Sequence, residues 1–249
     1  MRSFNPAKLL QRSLTIAVYG PVVLLALYFG ELAFFIAVLL TVFVSLQEMY
    51  NMYNIRFKKN HDSFYYGYLF STLLLLAVYM QETSYAWENY LFLVLSTLII
   101  CFLIYELGKK KIYFLSSPLC YLIRSILYIG LMYVHIILLR ARPQGLEYCL
   151  YICAVVWAND VFAFLIGIPF GRRRLAPEIS PQKSIEGAAG GLLGAALFSV
   201  LAAMFFGFAF SLRQAVILGL AISIFAQLGD LIESLLKRAL LAKDFGKLL

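Results

Sequence analysis

Long, nearly uninterrupted runs of apolar residues dominate the chain and predict membrane-spanning helices. A bilayer core about 30 Å thick needs roughly 20 apolar residues per helix. Runs of this kind predict eight helices, at 14–30, 32–50, 64–80, 88–107, 118–139, 147–169, 187–210 and 212–235. The predicted fold class is therefore all-α, a polytopic integral membrane bundle of about eight transmembrane helices.

The composition excludes several classes of soluble protein. Of the 249 residues, 63% are hydrophobic and only 14% are charged, against roughly 45–50% and about 25% in soluble domains. A single soluble core could not bury so much apolar surface, which argues against a cytosolic enzyme, a nucleic-acid-binding domain or a disordered protein. The net charge of +8 does not require a nucleic-acid partner, because excess Lys and Arg mark the cytoplasmic loops of membrane proteins.

The Lys and Arg residues alternate between successive connections. One set of connections carries 17 of them and the opposite set carries 3, while Arg124 remains inside a predicted span. By the positive-inside rule, the N-terminus, the 171–186 connection and the C-terminal tail are expected on the cytoplasmic side of a bacterial plasma (inner) membrane. Because an intramembrane charge is costly, Arg124 is expected to pair with Glu106 or Glu48, or to reach a lipid phosphate.

Polar residues that could carry chemistry concentrate in the last third of the chain. Asp160 interrupts an apolar span, and the 171–186 connection combines Arg172–Arg174 and Lys183 with serines, glycine and prolines. Backbone N–H groups freed by such breakers, together with Lys and Arg, bind polyphosphates, although a plain positive-inside loop is the alternative. The chain thus divides into an N-terminal region of about five spans, 1–139, and a C-terminal catalytic region, 140–249.

The last span ends in a polar stripe on one helical face. The stripe follows i, i+3, i+4, i+7 and i+8 spacing and consists of Asp230, Glu233, Ser234, Lys237 and Arg238. Its carboxylates suit Mg²⁺ and its cations suit phosphate oxygens. An internal pair between Glu233 and Lys237, worth a few tenths of a kcal/mol, is the alternative. Asp230 has no such partner, which favours a metal because a buried unpaired carboxylate is costly.

Small residues begin the seventh predicted span. Gly187, Gly190, Gly191 and Gly194 form two overlapping GxxxG spacings, which allow helices to approach closely in a bilayer. Packing is therefore favoured over ligand contact, and a homodimer is compatible with this pattern.

Two stretches carry a long, ordered set of motif residues. The upstream stretch supplies Asp160, Gly171, Arg172, Leu175, Ala176, Pro177, Ser180, Pro181, Lys183, Ser184, Glu186, Gly187, Gly190 and Gly191. The final stretch supplies Ser234, Leu236, Lys237, Arg238, Lys243, Asp244, Gly246 and Leu249. Together they resemble the motifs of the integral-membrane phosphatidate cytidylyltransferases, the CDP-diacylglycerol synthases. The signature of that family continues past this point to another aspartate and a final helix, so the sequence is expected to be a fragment, which by itself could be inactive.

The resemblance implies transfer of CMP from CTP to phosphatidic acid, with the lipid bilayer as partner and no nucleic acid. It implies Mg²⁺ as cofactor, with a second cation left open. The implied metal ligands are Asp230, with Asp160 and Glu233 as further candidates. The implied substrate-binding residues are Arg172, Ser180, Pro181, Lys183, Ser184 and Glu186. The implied catalytic residues are Asp230, Lys237, Arg238, Lys243 and Asp244.

Three alternatives stay open. A related CTP-dependent enzyme, such as a CDP-archaeol synthase or a polyprenol kinase, would carry similar motifs on the same kind of bundle. A transporter is disfavoured because the polar motifs have no counterpart in the first half of the chain. A non-catalytic scaffold would require that the chain truly ends at Leu249.

Overall fold

The computed structural model describes residues 20–58, 62–80, 88–109 and 117–240, and these ranges are predominantly helical. The helices are α1 Gly20–Phe29, α2 Glu31–Phe57, α3 Tyr65–Met80, α4 Glu88–Lys109, α5 Pro118–Ser125, α6 Leu131–Arg140, α7 Gly145–Phe170, α8 Ile185–Phe205 and α9 Leu212–Ala239. Short turns of 3-10 and π-helix occupy Asp62–Phe64 and Ile126–Gly130, and the π turn joins α5 to α6. The predicted all-α class is confirmed.

Within the described ranges, five helical segments are long and apolar enough to cross a membrane. They are α2, the joined α5–α6 segment, α7, α8 and α9, while α1, α3 and part of α4 form shorter apolar helices. The protein is therefore a multi-pass membrane protein.

Some helices end at other residues than the apolar runs predict. At these positions the local backbone conformation determines where the helix stops. α2 continues seven residues past the predicted end, to Phe57, and stops where Lys58 adopts a left-handed conformation. α8 stops at Phe205, short of the predicted residue 210, and Gly207 then turns the chain with φ +67°. Glycine has no Cβ and accepts such positive φ values without strain. Hydropathy alone contains no signal for either ending.

The described residues divide into two compact units. The first contains α1, α2, α3, α5 and α6. Its buried aromatic side chains stack on one another, with ring centroids 4.3 Å apart for Tyr50 and Phe64 and 4.5 Å apart for Tyr53 and Tyr121. The Tyr121 hydroxyl donates to the Met49 carbonyl at 3.0 Å, so this buried phenol satisfies its polar end within the apolar cluster.

The second unit contains α4, α7, α8, α9 and the 171–184 segment. α8 and α9 pack closely along their lengths, where a Cβ on Gly219 would lie 2.8 Å from the Ala195 carbonyl oxygen. Nearby, the Ser199 hydroxyl lies between the Tyr151 hydroxyl and the Ala215 carbonyl, which ties α7, α8 and the start of α9 together. This unit holds the polar motifs.

The 171–186 connection, predicted as a loop, contains a small antiparallel hairpin. Strand β1 spans Arg174–Ala176 and strand β2 spans Ser180–Ser184, with Arg174 opposite Ser184 and Ala176 opposite Ser180. Ile179 at the tip is buried, which anchors the hairpin to the helices. β2 runs directly into α8, so the side chains of β2 have a fixed position relative to that helix.

Candidate active site

An ion pair joins β2 to α9 at the centre of the polar region. The Lys183 Nζ atom lies 2.8 Å from Asp230 Oδ2, and the two side chains are 27% and 56% exposed. The prediction that Asp230 is buried and unpaired is therefore wrong. Its partner comes from a strand 47 residues earlier in the chain, which spacing along a single helix cannot reveal.

The ammonium group of Lys183 retains donor capacity. Its nitrogen is buried and makes no hydrogen bond of good geometry within the described part of the chain, although it is in direct ionic contact with Asp230. An ammonium carries three N–H donors, so the single contact with Asp230 leaves donor capacity on this nitrogen.

Asp160 belongs to the same group of charges. Lys183 and Asp230 both act electrostatically on its carboxyl group, and its Oδ1 atom accepts a hydrogen bond from Asn159 Nδ2 at 2.9 Å. The structure thus brings together three residues that the sequence selected from separate segments: one cation and two exposed carboxylates, from α7, β2 and α9.

A hydrogen-bond network that the sequence did not predict lies beside this group. Asn159 Oδ1 accepts from Ser223 Oγ at 2.6 Å and from Gln227 Nε2 at 3.0 Å. Ser223, Gln227 and Asp230 are spaced i, i+4 and i+7, so they extend the polar stripe of α9 into the apolar span. That spacing was the available signal, because Ser and Gln on one face of an apolar helix usually hydrogen-bond across helices in membranes.

Glu186 holds the chain that precedes the hairpin. Its carboxylate accepts hydrogen bonds from the backbone N–H groups of Arg172 and Arg173 at 3.1 and 3.2 Å. The side chain of Arg172 is exposed. Glu186, predicted to bind substrate, therefore fixes the backbone that presents these arginines.

Ser184 closes the start of α8. Its hydroxyl oxygen accepts from the Gly187 N–H at 3.1 Å and caps the helix, as serine commonly does. Gly171 packs over this cap, since a Cβ there would lie 2.6 Å from Ser184 Oγ. Ser180 and Pro181 begin β2 with partly or fully exposed side chains. Within β2, Lys183 is thus the residue in contact with the paired carboxylate.

The remaining predicted cations on α9 contact neighbouring groups. Lys237 Nζ lies 2.5 Å from Glu233 Oε1, which is the i, i+4 pairing weighed as the alternative. Arg238 Nε donates to the Ile179 carbonyl at 3.3 Å and attaches α9 to the hairpin tip. The predicted residues Lys243 and Asp244 lie outside the described residues.

The side chains that could ligate a metal ion limit how such an ion could bind. Among the described residues, no group of three or more His, Cys, Asp or Glu side chains is arranged to hold a metal ion. Asp160 and Asp230 supply two carboxylates, and Mg²⁺ is usually held by one or two protein carboxylates together with substrate phosphates and water. By type and number, these two carboxylates fit the protein's share of a magnesium site.

The glycines of α8 pack against α7, as their spacing predicted. A Cβ added to Gly187 would lie 2.9 Å from the Ala163 carbonyl oxygen, and one added to Gly190 would lie 2.7 Å from the Ile166 side chain. Because these glycines contact a helix of the same chain, they no longer carry an argument for a homodimer.

Comparison with known proteins gives one consistent result. The sequence profile of the cytidylyltransferase family matches residues 10–249. The phosphatidate cytidylyltransferase of Staphylococcus saprophyticus is 31% identical over 242 residues, which cover 96% of this chain and 88% of that protein. The enzyme of the same name from Staphylococcus aureus strain COL is 31% identical over 244 residues, with the same coverage. That from Staphylococcus haemolyticus is 28% identical over 242 residues, again at 96% and 88%.

Proposed function

Because the chain belongs to the cytidylyltransferase family, we propose that it is a phosphatidate cytidylyltransferase of phospholipid biosynthesis. In this reaction a phosphate oxygen of phosphatidate attacks the α-phosphorus of CTP. A new P–O bond forms between the lipid phosphate and the α-phosphorus, and the bond from the α-phosphorus to the bridging oxygen of the β-phosphate breaks. The products are CDP-diacylglycerol and pyrophosphate. The relatives that carry this name are similar over 96% of the chain, which supports the assignment.

The observation that carries the proposal is the Lys183 ammonium beside Asp160 and Asp230. Its nitrogen is buried and lacks a well-directed hydrogen bond, while the two carboxylates next to it are exposed. A triphosphate needs donors and positive charge for its oxygens, and charge-assisted contacts of this kind are stronger than neutral ones. Lys183 would bind phosphate oxygens of CTP and hold them beside the carboxylates.

The reaction does not require a strong general base from the protein. A phosphomonoester is largely ionised at neutral pH, so the attacking oxygen of phosphatidate is already anionic. The protein's own residues then act by holding the two substrates in line and by neutralising charge that develops during transfer. Lys183 would do so at CTP, and Arg172, whose exposed side chain precedes the hairpin, would contact a phosphate group.

Mg²⁺ fits the carboxylate pair and would be held by Asp160 and Asp230. When bound, such an ion would supply positive charge to neutralise the phosphates. Glu233 is engaged by Lys237 and is a weaker ligand candidate. Lys237, Arg238, Lys243 and Asp244 stay proposals for contacts with the triphosphate, and Ser180 and Pro181 for substrate contacts.

We also propose that the N-terminus, the hairpin and the C-terminal tail face the cytoplasm of a bacterial cell, where CTP is found. The distribution of Lys and Arg, 17 against 3, supports this orientation. The test is Glu178→Cys at the hairpin tip, in a variant whose native cysteines are replaced. This position should react with an impermeant maleimide in inside-out vesicles and not in intact spheroplasts. Labelling only in intact spheroplasts would show the opposite orientation.

Homodimerisation stays a prediction.

The test of the activity is direct. Purified protein is mixed with CTP, Mg²⁺ and phosphatidate in detergent micelles, and CDP-diacylglycerol and pyrophosphate are measured. Product is expected with the parent protein and with Arg213→Met, which alters an exposed cation at the far end of α9, and is expected to be lost with Asp230→Asn. Product formed only from an isoprenoid lipid phosphate would indicate a CDP-archaeol synthase. Release of CDP from CTP with a polyprenol would indicate a kinase.

A further inference from the structure

We propose that Asn159 is a positioning residue that sets the carboxylate of Asp160 in place relative to α9. The inference rests on the proposed function, since it concerns the group of charges that would receive CTP and Mg²⁺. Asn159 itself is 2% exposed and would touch neither substrate. It acts through its neighbour, whose Oδ1 atom lies 2.9 Å from Asn159 Nδ2.

The surroundings of Asn159 allow only one orientation of its amide group. Its oxygen faces two donors, the Ser223 hydroxyl at 2.6 Å and the Gln227 amide nitrogen at 3.0 Å. Its nitrogen faces a carboxylate, which can only accept while it is ionised. A flipped amide would place N–H against N–H on one side and oxygen against carboxylate oxygen on the other. The N–H that holds Asp160 is therefore fixed by α9.

Gln227 extends this constraint to a third helix. Its Nε2 atom lies within hydrogen-bond distance of Asn159 Oδ1, of Ser223 Oγ at 3.1 Å and of the Ala188 carbonyl in α8 at 3.1 Å. It is three residues before Asp230 on α9, so the two side chains lie on the same helical face. One network thus links the segment of α7 that carries Asp160 to the segment of α9 that carries Asp230.

The backbone of α8 leaves room for this network. A Cβ on Gly191 would lie 2.6 Å from Asn159 Oδ1 and 3.1 Å from Gln227 Nε2. Fully satisfied buried polar networks hold side chains rigidly. The network therefore fixes the relative position of two exposed carboxylates that repel each other, which packing of apolar helices alone would not specify.

Asn159→Asp tests the inference with a side chain of nearly the same shape. The change replaces the N–H that holds Asp160 with an oxygen that repels it. The matched control is Tyr151→Phe, which removes a buried hydrogen bond from α7 to Ser199 on α8, eight residues from Asn159 along α7. The first readout is the rise in thermal midpoint that Mg²⁺ produces without CTP or lipid, because a ligand of the folded state raises stability.

The second readout is the Mg²⁺ concentration that gives half-maximal CDP-lipid formation. Asn159→Asp should weaken the response to Mg²⁺ by about 10- to 100-fold in both measurements, the range found for groups that orient metal ligands. Tyr151→Phe should lower the midpoint without changing the Mg²⁺ response. Gln227→Met removes one of the two donors to the oxygen of Asn159 and leaves the Ser223 hydroxyl in place. It should weaken the response in the same direction, and it provides the test if Asn159→Asp does not fold.

Equal Mg²⁺ responses in the parent, Asn159→Asp and Gln227→Met would overturn the inference, as would an equal loss in Tyr151→Phe. A parent protein that gains no stability from Mg²⁺ would overturn it too. In contrast, a parent that is stabilised by Mg²⁺ but makes no CDP-lipid from phosphatidate would overturn the proposed function. In that case the comparison of thermal midpoints would still decide the role of Asn159.

Discussion

Lys183 Nζ and Asp230 Oδ2 lie 2.8 Å apart, so an ion pair links the strand that leads into α8 to the last described helix. Partly exposed ion pairs contribute about 0–1 kcal/mol to stability, because the Coulomb gain is offset by loss of hydration and of side-chain freedom. With side chains 27% and 56% exposed, this pair contributes little to folding. Its effect is to hold a cation and a carboxylate next to Asp160, where a phosphate and a divalent ion would bind.

Replacing Lys183 with Met should therefore separate activity from stability. We expect kcat for CDP-lipid formation to fall by about 100-fold or more, the cost of removing one donor to a reacting oxyanion. The free energy of unfolding should change by about 1 kcal/mol or less. Arg213→Met is the matched control, because Arg213 lies 17 residues before Asp230 on α9, about 25 Å away along the helix axis. A Lys183→Met protein with the parent's kcat would contradict the phosphate-binding role.

Asp230→Asn keeps the shape of the side chain and removes its charge. We expect turnover to fall by at least about 1000-fold, since both the proposed metal contact and the alignment of Lys183 depend on that charge. The double variant with Lys183→Met should be no worse than the poorer single variant, because groups that act as one unit are not additive. Glu147→Gln, in the first turn of α7, is the control for loss of a carboxylate. Losses that simply add in the double variant would show that the two residues act independently.

The sequence predicted the fold class and most of the helices, because both depend on the length and composition of apolar runs. Hydrophobic thickness constrains every span in the same way, so 147–169 and 212–235 correspond closely to α7 and α9. The helix ends were less predictable. Lys58 ends α2 and Gly207 follows the end of α8, each with a positive φ angle. A hydropathy profile does not report such backbone conformations.

The sequence selected the residues of the candidate site but not the groups that they contact. Asp160, Lys183 and Asp230 stood out as charges in or beside apolar helices, where charge is costly and usually functional. Their association depends on how α7, β2 and α9 pack, and no spacing within one element contains that information. For the same reason Asn159 was missed, since a single amide in an apolar run becomes informative only when Ser223 and Gln227 are seen beside it.

Removing the carboxylate of Glu186 should loosen the segment before the hairpin. Glu186→Ala leaves the backbone N–H groups of Arg172 and Arg173 without their acceptor, so local opening becomes more frequent. Because proteolysis follows the population of the open form, trypsin should cleave after residues 172–174 several-fold faster in the folded protein. Glu178→Ala removes an exposed carboxylate from the hairpin tip and serves as the control. Equal cleavage of Glu186→Ala and the parent would show that other contacts hold this segment.

Two glycine-to-alanine changes should differ in their effect on stability. At Gly191 the new Cβ would lie 2.6 Å from Asn159 Oδ1, whereas at Gly229 nothing lies within 4 Å. Overpacking costs about 1–3 kcal/mol, so Gly191→Ala should lower the thermal midpoint in detergent and weaken activity by displacing Asn159. Gly229→Ala should leave the midpoint unchanged or raise it, since alanine favours helix over glycine by up to about 1 kcal/mol. A neutral Gly191→Ala would mean that α7 and α8 separate at no cost at this crossing, contrary to the close packing seen there.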